Sequence, residues 1–301
     1  MDIGEDRIPN DVSGESVTPQ DEVFLEKMHD VILAYSGVDI GPYKKRYLLR
    51  RIGVRERALN LPDHAAYFEY LQTHAEEFPR CLEELTINVT EFLRDAHVFE
   101  ILKSRFLSCL VRNILPSPKR PLRMWSAGCA SGEEVYSLAM LAEDVLRDCS
   151  FVTDYRIVAT DVDFRALETA VLGAYPAEKV QGIPETWKTL YFRSPNSRGG
   201  RFVIKSALKS HISFERHNVL TPFEQKDFDV ILCRNTLMYF TVPLQEKILR
   251  NLAASLRPGG FLVLGQVERL IGPARKELQC VSAEANIFQK HPFSEEESHA
   301  H

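Results

Sequence analysis

From Asp21 to about Asn113 the apolar residues keep a helical spacing. Val23, Phe24, Met28, Val31, Ile32 and Tyr35 recur at intervals of roughly three to four residues, and Gly37 closes the segment. The same pattern predicts a second helix after Pro42, a third over about 62–73, a fourth over about 77–87 and a fifth from Ala96 to near Ile114. Residues 115–121, Leu-Pro-Ser-Pro-Lys-Arg-Pro, carry three prolines and read as a linker. Beyond it the pattern changes. Strands are predicted at 122–126, 155–160, 212–216, 228–233, 261–265 and 287–290, and helices at 133–147, 164–171 and 243–256, the last stopped by Pro258-Gly259-Gly260. Such alternation implies an α/β fold with a mostly parallel sheet and helices on both faces. The gap between Ala174 and His211 is too long for a simple crossover, so an insertion is expected there, with a short strand near 201–205.

Composition adds limits. The 301 residues are 45% hydrophobic and 26% charged, ordinary for a soluble globular protein. A net charge of −5 does not favour nucleic acid or an anionic membrane as partner of the whole molecule. Residues 1–20 read as a disordered polar lead and 294–301 as an acidic tail, with a helical domain over 21–114 and a sheet domain over 122–293 between them. There is no signal-peptide pattern and no apolar run of membrane-spanning length. Six scattered cysteines, none paired as C-x-x-C, suit a reducing compartment, and a cytoplasmic location is expected. The histidines show no metal-ligand spacing, so no metal is expected.

The chemistry concentrates in a few segments. Leu122-Arg-Met-Trp-Ser126 reads as a buried strand, Ala127-Gly-Cys-Ala-Ser-Gly132 as a small-residue turn, and Glu133-Glu134 as the start of a helix. A turn of small residues lets a ligand approach the backbone. Dinucleotide enzymes cradle a pyrophosphate there, but two carboxylates at the helix start would repel a phosphate. A ligand with a cationic end and no phosphate, such as S-adenosylmethionine, fits better, and that points to a methyltransferase. Asp161 closes the strand at 155–160 and is placed to accept hydrogen bonds from ribose hydroxyls; alternatively it caps the next helix, a task Asp163 could equally perform. Arg234, Asn235 and Tyr239 follow the strand at 228–233 and can face a ligand, or Asn235 can be a cap and Tyr239 a core aromatic. Asn88, Thr90 and Arg94 share a helix face or turn, for which a plain surface turn is the simpler reading. Lys44, Lys45, Arg46, Arg50, Arg51, Arg55 and Arg57 make one strongly basic element with a single acid, Glu56, among them.

Taken in order, Asn88…Arg94, Trp125…Glu134, Ala159-Thr160-Asp161, Asn218-Val219, Cys233-Arg234-Asn235…Tyr239 and Arg257-Pro-Gly-Gly260 resemble the CheR family of chemotaxis receptor methyltransferases, over nearly the whole chain. The resemblance implies an all-α N-terminal domain followed by a class I S-adenosylmethionine-dependent methyltransferase domain, with a small antiparallel β-subdomain inserted at about 174–211. It implies methyl transfer to glutamate carboxylates on the cytoplasmic helical bundle of chemoreceptors, leaving S-adenosylhomocysteine. By position, Asn88, Thr90 and Arg94 would reach the methionyl end of the cofactor, Glu134 would lie near its amino group, and Asp161 would bind the ribose. Gly128 lies in the cofactor turn, and Asn218, Val219, Arg234 and Asn235 would surround the adenosine and the active-site floor. Arg94 and Tyr239 would orient the substrate, and the basic second helix would dock the receptor. The family tends to carry two phenylalanines before the arginine, where this chain has Phe92-Leu93, and Gly-His-Ser-Glu where it has Gly265-Gln266-Val267-Glu268. Rival readings are a methyltransferase acting on RNA or a small carboxylic acid, and a non-enzymatic adaptor of a chemosensory array. Nothing in the pattern demands more than a monomer, and neither nucleic-acid binding nor membrane insertion is expected.

Overall fold

A computed structural model describes residues 17–86, 90–114, 120–148, 154–195 and 199–291. Most of the expected polar lead, most of the proline linker and the acidic tail lie outside these residues. The chain forms two compact units that divide between Leu85 and Thr86.

The first unit contains α1 (Pro19–Ser36), α2 (Lys45–Leu59), α3 (His64–Thr73) and α4 (Glu77–Leu85). Thr18 and Asp21 form a capping box, which starts α1 at Pro19, inside the stretch expected to be a disordered lead. Gly37 ends the helix in the left-handed conformation (φ 68°) and donates its N–H to Leu33 O. Met28, Ile32, Ile52, Tyr67 and Leu71 are fully buried in this unit's core. Within it, Arg55 makes a bidentate pair with Glu77 (2.7 and 2.9 Å), and the Tyr67 hydroxyl donates to the same carboxylate at 3.2 Å. Arg51 pairs with Glu84 at 2.6 Å.

The second unit opens with α5 (Ala96–Ile101), a π-helical stretch (Leu102–Leu107) and α6 (Ser108–Ile114). Periodicity groups this helix with the four before it, yet it belongs to the sheet unit. Val98, Phe99, Leu102 and Leu107 share one core with Leu122, Met124, Val135 and Leu138. An apolar stripe reports that a helix face is covered, not by what. The compact units therefore part some thirty residues before the proline-rich stretch.

The strands β1 (Leu122–Ala127), β2 (Tyr155–Asp161), β6 (Ile212–Arg216), β7 (Phe228–Cys233), β8 (Leu256–Leu264), β9 (Leu278–Ser282) and β10 (Ile287–Lys290) form one sheet in the order β6-β2-β1-β7-β8-β10-β9. The first five are parallel and β10 is antiparallel to both its neighbours. Helices α7 (Glu133–Asp148), α8 (Phe164–Leu172) and α12 (Val242–Ser255) connect them. β8 starts at Leu256, earlier than the pattern predicts, because Gly260 lets it pass Phe228 O, which a Cβ would approach to 2.9 Å. β9, a short edge strand with exposed Gln279 and Cys280, has no clear alternation, so the pattern does not predict it. Buried Asp229 ties this end of the sheet together by accepting from Arg120, Arg257 and the Arg123 N–H. The insertion holds β3 (Ala174–Tyr175), α9 (Ala177–Val180), α10 (Glu185–Tyr191), β4 (Phe192–Arg193), β5 (Phe202–Ile204) and α11 (Ser206–Lys209), with its own antiparallel sheet ordered β3-β5-β4. No described helix is long and apolar enough to cross a membrane.

Candidate active site

Strand order reverses at β1, which lies between β2 and β7, and ligands of open α/β sheets bind beyond the carboxyl ends of strands at such a point. Here those ends carry Gly128, Asp161 and Arg234.

The turn after β1 is held by two N–H groups, Gly128 and Cys129, donating to Thr160 O at 2.8 and 2.9 Å. Gly128 (φ +84°) has no room for a Cβ, which would meet Thr236 Oγ1 at 2.6 Å. Ala130, also left-handed (φ 47°), donates its N–H to Asp161 Oδ2 at 2.8 Å. The other Asp161 oxygen accepts the Asp163 N–H at 2.9 Å. Asp163, not Asp161, caps α8, accepting from the Arg165 and Ala166 N–H groups. Burial pushes the Asp161 carboxyl above its usual range, against the opposing pull of the Asp163, Ala130 and Val162 N–H groups. Glu134 accepts from Ser126 Oγ (2.9 Å) and Arg234 Nη1 (3.3 Å); burial raises its pKa too, and Arg234 opposes the rise.

Arg94 sits between two left-handed residues, Leu93 (φ 54°) and Asp95 (φ 56°). A leucine in that region is strained and persists only where its surroundings over-determine it. Ser137 Oγ accepts the Leu93 N–H at 2.9 Å, and Arg234 Nη2 donates to both Arg94 O (3.0 Å) and Asp95 Oδ2 (2.7 Å). The Arg234 side chain, 1% exposed, is thus engaged by protein groups on Nη1 and Nη2, and its guanidinium lies over Phe99. Its Nε is buried with no hydrogen-bond partner among the described residues. Arg234 therefore braces the Arg94 turn, a duty its place at a strand end did not suggest. Thr90 is half-buried, and its carbonyl accepts from Lys179. Asn88 lies outside the described residues.

After β7 the backbone turns through Asn235 (φ 58°) into the 3₁₀ turn Leu237–Tyr239. Asn235 is not a helix cap. One buried carboxylate, Glu268, holds the turn by accepting from the N–H groups of Asn235 (3.0 Å), Leu237 (2.6 Å) and Gly265 (2.7 Å). Burial raises its pKa while these donors oppose the rise. The sequence pattern does not single out Glu268; the Gly265-x-x-Glu268 spacing is its one local signal. The two departures noted above, Gln266 and Val267, are exposed and lie between the Gly and Glu that make the contacts. Tyr239 is half-buried at the end of this turn. Asn218 closes its own loop, Oδ1 accepting the Leu220 N–H, and Val219 is buried, while the neighbouring His217 N–H donates to Asp161 O. The structure thus gathers Arg94, Gly128, Glu134, Asp161, Arg234 and Asn235 around the reversal point.

Of the seven basic residues near α2, Lys44, Lys45, Arg46, Arg50 and Arg57 are exposed, whereas Arg51 and Arg55 are drawn into the ion pairs with Glu84 and Glu77. Those two are structural within the helical unit.

The donor set fits S-adenosylmethionine. Asp161 and Glu134 are carboxylates of the kind that hydroxyls and an ammonium would pair with, and the acidic first turn of α7, Glu133-Glu134, would oppose a phosphate. The buried orphan Arg234 Nε marks a site with an unmet donor. Comparison with known proteins agrees. Residues 88–287 match the family described as CheR methyltransferase, SAM binding domain, and residues 25–86 match CheR methyltransferase, all-alpha domain. A chemotaxis protein methyltransferase of Listeria monocytogenes is 32% identical over 241 residues, covering 79% of this chain and 87% of that protein. Chemotaxis protein methyltransferase 2 of Pseudomonas aeruginosa is 30% identical, covering 87% and 92%. An uncharacterized 104.1 kDa protein of Rhodobacter capsulatus is 35% identical over 86% of this chain, which spans only 27% of that protein. With both family domains matched in order and the Gly128–Glu134 turn formed at the reversal of the sheet, the chain belongs to the CheR methyltransferase family and is an S-adenosylmethionine-dependent methyltransferase.

Proposed function

We propose that this chain methylates glutamate carboxylates on the cytoplasmic helical bundle of chemoreceptors, as part of chemotaxis-type signalling. The observation that carries the reading is Arg94, presented on a strained turn that Arg234 braces, beside the Glu134 end of the cofactor turn. The relatives named as chemotaxis protein methyltransferases support the pathway.

When bound, S-adenosylmethionine supplies an electrophilic methyl on a sulfonium, and transfer to a carboxylate oxygen leaves a methyl ester and S-adenosylhomocysteine. Asp161 would receive the ribose hydroxyls and Glu134 the amino group, each carboxylate oriented by the hydrogen bonds already described. Thr90 and Arg94 would stand toward the methionyl end, while Asn218, Val219 and Asn235 would flank the adenosine. A glutamate carboxylate is a nucleophile at neutral pH, so the protein needs no general base. Arg94 would hold that carboxylate for attack, with Tyr239 as its proposed companion; the gain comes from positioning. Opposite charges vanish in this reaction, so a site that excludes water favours it. The exposed basic residues of α2 would meet an acidic receptor surface.

The test is transfer of a labelled methyl group to receptor cytoplasmic fragments, followed by mild alkali. Label released as methanol establishes the carboxyl ester. Alkali-stable label would replace the reading by another methyl acceptor, and S-adenosylhomocysteine binding without transfer to any receptor fragment would favour an adaptor.

A further inference from the structure

The inserted sheet reaches two parts of the site through one ammonium. Lys179 stands in α9, and its Nζ lies 2.6 Å from Thr90 O, four residues before Arg94, and 3.1 Å from Oε1 of Glu133, the first residue of α7. The Glu133 side chain is 1% exposed, and its other oxygen accepts from Ser131 Oγ at 2.7 Å inside the cofactor turn. Two aromatic contacts reinforce the link. The Tyr175 hydroxyl donates to Ser131 O at 2.7 Å and sits where a Cβ on Gly132 would fall, 2.9 Å away. Phe92 packs edge-on against Tyr175 and Phe192, with centroids 4.8 and 5.7 Å apart. A lysine paired with a solvated partner would contribute little. Here the partner is buried, and without Lys179 the Glu133 carboxylate keeps only the Ser131 hydroxyl among these groups.

We propose that Lys179 is a positioning residue for methyl transfer: it couples the inserted sheet to the cofactor turn and to the Arg94 segment, so that the insertion sets the spacing between them. The proposal rests on residues 128–134 being the cofactor turn. Because binding linkage is reciprocal, a protein substrate that engages the insertion would also change cofactor affinity.

The test titrates the full chain with S-adenosylhomocysteine by calorimetry and measures kcat and KM for methyl transfer to receptor fragments. Lys179→Met keeps the aliphatic stem and removes the ammonium. It is expected to weaken S-adenosylhomocysteine about tenfold and to lower kcat by a similar factor, the size of a lost charge-assisted hydrogen bond. KM for receptor should stay close to wild type, Tm should fall because Glu133 is left buried without its ion partner, and Lys179→Arg should restore most of the losses in affinity, kcat and Tm. Glu133→Gln probes the bridge from the other side, and adding it to Lys179→Met should cause little further loss. Unchanged affinity and kcat in Lys179→Met, a fall in Tm alone, or full additivity of the two substitutions would overturn the coupling. A wild-type chain that fails to bind S-adenosylhomocysteine would overturn the cofactor reading itself, and the proposal with it.

Discussion

In the helical unit Arg55 meets Glu77; in the sheet unit Arg234 meets Glu134 and Asp95. Both guanidiniums pair with buried or half-buried carboxylates, but the surroundings differ. Around Arg55 the network is closed: a bidentate pair plus a tyrosine hydroxyl, all between helices with ordinary backbone. Around Arg234 it is open and strained. One nitrogen has no partner among the described residues, and the segment it braces passes through two left-handed residues. A satisfied network holds a fold together, whereas unmet donors and strained backbone collect where a ligand completes the set.

The comparison breaks if the two networks respond alike to substitution. Glu77→Gln leaves Arg55 without its ion pair and should destabilise the helical unit by about 3–5 kcal/mol, read by denaturant unfolding, with S-adenosylhomocysteine affinity unchanged. Arg94→Ala should do the reverse. Turnover on receptor fragments should fall by roughly 10²–10³-fold, with Tm and cofactor affinity nearly intact, as the proposed acceptor-orienting role requires. Equal loss of affinity and turnover would contradict that role. Asp161→Asn keeps the shape but removes the charge, and should weaken S-adenosylhomocysteine about tenfold by calorimetry.

Acid sharpens the contrast further. Burial raises the pKa of both Asp161 and Glu134. In the proposed roles both must be ionised to serve an ammonium and hydroxyls, so cofactor affinity should be full above the raised values and fall as pH drops through them, sooner than ordinary carboxylates would allow. Their contribution to stability without cofactor has the opposite sign. A group that holds its proton more tightly folded than unfolded adds stability as pH falls. Calorimetric titrations and unfolding curves over the same pH series should therefore move in opposite directions for these groups. The smallest effect is expected on α2: Arg46→Glu with Arg50→Glu should raise KM for receptor a few-fold at low ionic strength, and the difference should shrink with added salt.

Much of this was legible in the chain. Strands β6, β7 and β10 fall where the pattern places them, and Gly37 closes α1 as expected. Asp161 and the Gly128–Glu134 turn were readable because strand–turn–helix chemistry is local. Other features were hidden for equally physical reasons. Asp95 and Glu268 act through side chains that reach segments 139 and about 30 residues away, and no spacing rule spans such separations. The basic run of α2 looked uniform, yet Arg51 and Arg55 are committed to α4 and only the remainder faces outward.

By itself the sequence determined the local elements, the small-residue turn, the candidate cofactor acids and the family, since each depends on residues close together or on the order of motifs. The tertiary structure alone decided that α5 and α6 belong to the sheet unit, that Arg234 braces the Arg94 turn, and that Lys179 links the insertion to the cofactor turn. Those outcomes depend on which surfaces meet after folding, and a buried charge takes its role from the partner that desolvation forces it to find.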